Sequence, residues 1–286
     1  MTACYIPAGG DATMRTCNRH VVLLSGLLLA LVLAGRVYGA LNVVDKIDLH
    51  PAGPGAMGAS HVCIDQSARR AYFSGTDTRN IAVIDLDTHQ VTGFLDADGR
   101  PRQIDADEVA HQLCYSLPDD VAVGIVSELG GPVVKAGTGG GAGDPRGVAS
   151  CDSTGRVYAA NFNGFAVAAI KRPENVLETT ISLPDGLRPQ CLACDHSRKR
   201  LYVGCFRDWL QNVLLVIDAD PASQTFHHII DRFSPTRYPC SIAVNETANR
   251  VTVIDVDPSS PTRRQVEKLI VIDSGPHRCP PKATSP

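Results

Sequence analysis

The chain has 286 residues, with 27 Lys and Arg against 30 Asp and Glu and a net charge of −3. That balance, with no basic run longer than "SRKR" or "TRR", gives no basis for a nucleic-acid partner. The length is enough, after an N-terminal leader, for one large or two small domains.

In chain order, residues 1–39 predict a secretory signal or an N-terminal anchor. Arg15, Arg19 and His20 precede the uncharged apolar run Val21–Ala34, and Val37 and Gly39 stand before a cleavage point at Ala40. The run is shorter than the roughly 20 residues a spanning helix needs. Membrane association is expected only if this segment stays uncleaved. Met14 is an alternative start. Residues 40–275 carry the fold, and 276–286 form a Pro-rich tail. Cys4 and Cys17 lie in the leader, which leaves Cys63, Cys114, Cys151, Cys191, Cys194, Cys205, Cys240 and Cys279. An even number in an exported chain predicts disulfides.

The mature segment is repetitive. "ASHVCIDQSARRAYFS" (59–74), "PRGVASCDSTGRVYAA" (145–160), "PQCLACDHSRKRLYVG" (189–204) and "PCSIAVNETANRVTVI" (239–254) align without gaps. Each reads as an apolar strand, a polar turn, an arginine (Arg70, Arg156, Arg200, Arg250) and a second strand, which is a hairpin. A weaker copy, "HQLCYSLPDDVAVG" (111–124), fills the long gap between the first two. Third strands follow at "NIAVIDLD", "GFAVAAI", "NVLLVIDAD" and "KLIVIDS", and fourth strands at "QVTGFLD", "VLETTISL" and "TFHHIIDRF". Four antiparallel strands recurring every roughly 45 residues predict an all-β propeller. Five hairpins give five blades. The last lacks a fourth strand, and "LNVVDKIDL" (41–49) is the spare strand expected to complete it, removing open sheet edges.

Tyr158 to Asn161 (Tyr-x-x-Asn), "NIAVIDLDTHQVTG" (80–93), "LYVG…NVLLVIDAD" and "KLIVID" resemble the YVTN-type β-propeller repeat of surface-layer-like proteins. The resemblance implies a propeller and, for many members, binding at cell surfaces. For others it implies lactonase activity or a cofactor.

Candidate chemistry is sparse. Cys191 and Cys194 are three apart on an innermost strand and therefore face opposite ways. Asp195 stands where covalent haem attachment needs histidine, so this stretch reads as scaffold. Cys191 and Cys205 fall at nearly facing positions on one hairpin, which makes them the proposed disulfide. Asp85/Asp87, Asp218/Asp220 and Asp255/Asp257 sit two apart at strand ends, where carboxylates either cap a turn or chelate calcium. The first two pairs are the weak metal candidates. His61 and His111 lie on or beside first strands or hairpin turns, His61 facing the central channel, and His227 and His228 are placed on an outer strand. "CFRDWLQ", with Phe206, Arg207 and Trp209, is the expected recognition patch, since arginine and aromatic residues are enriched where partners bind. "NET" makes Asn245 a glycosylation candidate.

The expected function is an exported, non-catalytic binding scaffold for a protein or glycan, located outside the cell, at its surface or in the periplasm. No cofactor is expected, calcium being the one possibility. The alternatives are a lactonase-like enzyme or cofactor carrier with a channel-bound metal, and a structural surface-coat component.

Overall fold

The computed structural model describes residues 47, 49, 59–139, 143–207, 212–236, 238–256 and 266–273. They form five antiparallel sheets arranged as a five-bladed β-propeller. The first blade is β1 (Ala59–Asp65), β2 (Arg70–Gly75), β3 (Asn80–Asp85) and β4 (Gln90–Asp96). The second is β5 (Ile104–Asp107), β6 (Gln112–Leu117), β7 (Ala122–Ser127) and β8 (Val134–Gly137). The third is β9 (Pro145–Cys151), β10 (Arg156–Asn161), β11 (Ala166–Lys171) and β12 (Val176–Ser182). The fourth is β13 (Arg188–Asp195), β14 (Arg200–Phe206), β15 (Asn212–Asp218) and β16 (Ile229–Thr236). The fifth is β17 (Pro239–Asn245), β18 (Arg250–Val256) and β19 (Val266–Asp273). The strand expected over 41–49 to complete that blade lies, except for residues 47 and 49, outside the described residues, as do the leader and the tail.

Two sequence expectations shift. The copy at 111–124 is the second and third strand of blade two, and its innermost strand is β5, which precedes the copy. β5 escapes pattern reading because "IDAD" is short and puts Asp105 where its sisters carry Cys63, Ala149, Ala193 and Ala243. His227 and His228 precede β16 instead of lying on it. Residues from Asp218 onward make a turn in which Thr225 Oγ1 donates to Asp218 Oδ2 (2.6 Å), and His227 has left-handed backbone (φ 64°).

Alternation along each strand divides its side chains between two neighbouring blades. Leu113 and Tyr115 of β6 pack with Tyr72, Ile81 and Val83 of the first blade. Cys114, between them in sequence, packs with Val148, Val157 and Ala168 of the third. The innermost strands touch in the order β1, β5, β9, β13, β17.

At the C-terminal end of the innermost strand in blades one, two, four and five a polar residue closes the hairpin. Asp65 Oδ1 accepts the Ala68 amide, Asp107 Oδ1 that of Ala110, Asp195 Oδ1 that of Arg198 and Asn245 Oδ1 that of Ala248. The next residue reaches back to the preceding blade. Glu108 Oε1 accepts the Gln66 amide (3.1 Å), Asp152 Oδ2 the Glu108 amide (3.2 Å), and Glu246 both the His196 and Ser197 amides (2.7 and 3.1 Å). Blade four carries His196 at this position. There the tie is covalent instead: Cys151, which replaces the turn-closing aspartate of blade three, is bonded to Cys194 of blade four.

The disulfide proposed between Cys191 and Cys205 does not form, and both are free and buried. A bulge between Pro189 and Cys191 pairs Cys191 with Gly204, so Cys205, one residue on, faces the other side of the sheet. Cys205 packs in the seam with blade three, whereas the Cys191 thiol donates to the Pro239 carbonyl of blade five (3.5 Å). A Cβ on Gly204 would lie 2.5 Å from Cys191 Sγ, so this sulfur needs the glycine. The opposite facing of Cys191 and Cys194 agrees with the scaffold reading of "CLAC".

The Cys151–Cys194 link closes a loop of sequence separation 43, worth about 3–4 kcal/mol in a chain-entropy account. Replacing both cysteines by alanine is expected to lower unfolding free energy by about 3 kcal/mol in urea titrations. Alkylation under denaturing, non-reducing conditions is expected to label Cys191 and Cys205 and leave Cys151 and Cys194 unlabelled.

Candidate functional site

The opposite, N-terminal ends of the innermost strands share a different construction. Proline stands at Pro101, Pro145, Pro189 and Pro239, and the pairing slips immediately after it. In blades four and five Gln190 and Cys240 are the extra residues, and in blade three Arg146 and Gly147 face Ala160 alone. Proline suits a strand start because it needs no amide partner there, and a bulge re-aims the side chain that follows. In blades two and three that side chain is an arginine, Arg102 or Arg146. In blades four and five the residue before the proline is Arg188 or Tyr238.

These side chains form one continuous cluster. Asp144 bridges Arg146 Nε (2.7 Å) and Arg102 Nη1 (3.5 Å). The Arg146 guanidinium lies 3.3 Å from the centroid of the Phe162 ring, and that of Arg188 lies 5.3 Å from Phe162 and 4.7 Å from Phe165. Phe162 stacks on Phe206 at 6.3 Å, and Phe206 meets Tyr238 edge-on at 5.4 Å. Arg188 Nη1 also donates to Asn163 Oδ1 (3.0 Å). Asn161, the last residue of the Tyr-x-x-Asn stretch, ties Gly139 and Asp144 to the β10–β11 turn. Its Nδ2 donates to the Gly139 carbonyl and its Oδ1 accepts the Asp144 amide.

Charge is unbalanced here. Among the described residues the cluster holds three guanidinium groups and one carboxylate, Asp144, which pairs with Arg102 and Arg146, whose side chains are only 28% and 15% exposed. Burial, then Arg146, lower the pKa of Arg102, while Asp144 and Tyr238 oppose the shift. His61 Nδ1 lies 3.1 Å from the Arg102 carbonyl. Burial first and Arg102 second push the imidazole down to about 4, so it is neutral near pH 7. Asp105 Oδ2 accepts the Ser150 amide (2.8 Å) and burial raises its pKa to about 6. Guanidinium forks match carboxylates or sulfates in geometry, and low solvent exposure strengthens such an attraction.

Of the expected patch, Phe206 is inside this cluster. Arg207 is exposed at its edge, its amide donating to Asn212 Oδ1 (2.9 Å), and Trp209 lies outside the described residues. His61 joins through Arg102. The aspartate pairs serve their turns: Asp85 Oδ1 accepts the Asp87 and Thr88 amides and Asp218 Oδ1 the Asp220 amide, while Asp87 pairs with Arg69 and Asp220 with Lys199. Asp257 is outside the described residues. Asn245 is buried and closes its hairpin, so its side chain faces the turn instead of presenting a glycosylation site. Sequence reading missed Arg102, Arg146, Arg188, Phe162 and Tyr238. The available signal was the recurrence of "RPRQ", "DPRG", "LRPQ" and "RYPC" at blade starts.

No protein-family model matches the chain, and no curated protein matches it. In fold it is similar to the hydrazine synthase of Kuenenia stuttgartiensis, with a TM-score of 0.59 and 13% identity over 80% of this chain and 62% of that one. It is likewise similar to a chain from the crystal structure of a nidogen/laminin complex, with a TM-score of 0.59 and 14% identity over 76% of each. This chain therefore spans 62% of the hydrazine synthase chain. At such identities the likeness concerns the propeller fold alone, and YVTN-type family membership remains an expectation from the residues.

The neutral His61 gives a pH test. Its folded pKa, about 4, lies below the ordinary 6.5, so the unfolded chain takes the proton first. The His61 contribution is present above pH 6.5 and is lost as pH falls through about 4. His61→Gln is expected to flatten this acid limb, so that the stability difference from wild type shrinks between pH 7 and pH 4 in urea titrations.

Proposed function

We propose that the chain is an exported, non-catalytic propeller that binds an acidic segment of a protein partner through the arginine–aromatic cluster at the N-terminal ends of its innermost strands. The observation that carries this reading is the excess of guanidinium groups over carboxylates, held against Phe162, Phe165 and Phe206. An arriving carboxylate offsets the cost of keeping Arg102 and Arg146 out of water, and the flanking rings accommodate apolar side chains beside it. Export is supported by the signal-like leader and by a structural disulfide. The nidogen/laminin neighbour is a propeller within a protein complex, which fits a protein partner.

The rival enzymatic reading needs several carboxylates or imidazoles from different blades converging at one mouth. At this mouth, among the described residues, the cluster's carboxylate is Asp144, engaged by two arginines, and the nearby imidazole, His61, is held by the Arg102 carbonyl.

A fluorescently labelled decaglutamate peptide, titrated with the purified protein, tests the proposal by anisotropy. Saturable binding that weakens with salt is expected, and Arg188→Ala, at a half-exposed position, should weaken it about tenfold, or ~1.4 kcal/mol. Arg146→Gln should do the same. Binding that neither variant changes would overturn the assignment. Preference for a sulfated hexasaccharide over the peptide would move the partner class to an anionic glycan.

A further inference from the structure

On the hairpin-turn face, away from the arginine cluster, the seam between blades one and two holds a second set of polar groups that the fold does not satisfy. Asp65 ends β1 and is fully buried. Its Oδ1 accepts Ser67 Oγ and the Ala68 amide, but its Oδ2 has no hydrogen-bond donor. Glu128, just after β7, is 6% exposed, and its Oε1 is likewise buried without a donor. Its Oε2 lies 3.8 Å from His111 Nδ1. His111 has left-handed backbone (φ 52°), and its carbonyl accepts the Glu128 amide at 3.1 Å, which fixes the two residues side by side. One ligand atom from each of Asp65, His111 and Glu128 lies within 4.8 Å of the other two, the one such grouping of three among the described residues.

Two buried carboxyl groups, each with one oxygen that no donor reaches, cannot both be ionised cheaply. Either a proton or a cation has to lie between them. Asp65 and Glu128 come from different blades and each retains an unused oxygen, while the His111 side chain is 67% exposed and offers a ring nitrogen from the solvent side. Metal–oxygen and metal–nitrogen bonds of about 2.0–2.2 Å need the donors slightly closer together than this, which rotation of the exposed imidazole supplies.

We propose that Asp65, Glu128 and His111 form a binding site for a divalent cation of the zinc class, linking the first and second blades. Two oxygens and an imidazole favour such an ion over magnesium or calcium, which prefer oxygen alone. Three protein ligands with an open solvent side leave a coordination position for water or for a group of a partner. The competing occupant is a proton shared by the two carboxyls.

Calorimetric titration of the full chain with zinc ion near neutral pH, with magnesium and calcium as comparisons, decides between them. The proposal expects one zinc per chain, tighter than either comparison ion, with a raised melting temperature. His111→Ala, at an exposed position where folding is not at risk, should weaken binding at least about tenfold, and Glu128→Gln should abolish it. No zinc binding up to millimolar concentration would leave the shared proton as the occupant and overturn the site. Zinc binding that His111→Ala leaves unchanged would assign the ion to other ligands and overturn it equally.

Discussion

A blade of this propeller has no interior of its own. Each strand sends alternate side chains into two different seams, so a sheet is stable only between neighbours. The seam is therefore the constraint on which everything else depends, and in three of the five blades part of it is a carboxylate one residue past the end of the innermost strand, accepting backbone amides of the blade before it. Glu108, Asp152 and Glu246 do this. The disulfide sits at the junction where His196 takes the place of the acid. That coincidence explains the two unusual cysteines of the fourth unit better than any chemistry of a thiol pair: Cys194 stitches backward to blade three, and Cys191 donates forward to blade five.

Because one end of every innermost strand is committed to joining blades, the other end is where side chains are available for recognition. The proline-and-bulge construction uses that freedom. In blades two and three the residue after the proline, Arg102 or Arg146, reaches the mouth, where the two share Asp144, and Arg188, before the proline of blade four, meets Arg146 at Phe162. The cluster is rigid for the same reason. Asn161 joins Gly139 and Asp144 to the β10–β11 turn, the rings pack on one another, and His61 is held by the Arg102 carbonyl. Anion recognition by such a surface needs little rearrangement, which favours affinity from few contacts.

Much of this was legible in the sequence, and the parts that were not have physical reasons. Alternating apolar residues and recurrent turn-plus-arginine units give the blade number and most strand limits. The alignment fails at blade two because β5 is short and Asp105 makes it look like a loop. The disulfide eludes prediction because facing positions counted along a hairpin ignore the bulge after Pro189, which turns Cys191 and Cys205 to opposite faces. Of the arginine–aromatic cluster, the sequence singles out Phe206 alone, since single aromatics draw attention while arginines spaced a blade apart do not. Those arginines become visible only once the prolines beside them are aligned. Asp65, His111 and Glu128 carry no sequence signature at all, because they meet through contact between blades.

The central claim is a division of labour between the two faces: hairpin turns lock the blades, and the opposite mouth binds an anionic partner. Hydrogen–deuterium exchange with and without bound decaglutamate tests it most directly. The account predicts added protection in peptides containing Asp144–Gly147, Phe162–Phe165, Arg188 and Phe206–Arg207, with no change at the turns following Asp65, Asp107 and Asp195. Protection concentrated at those turns, or absent from the arginine–aromatic peptides, would contradict it.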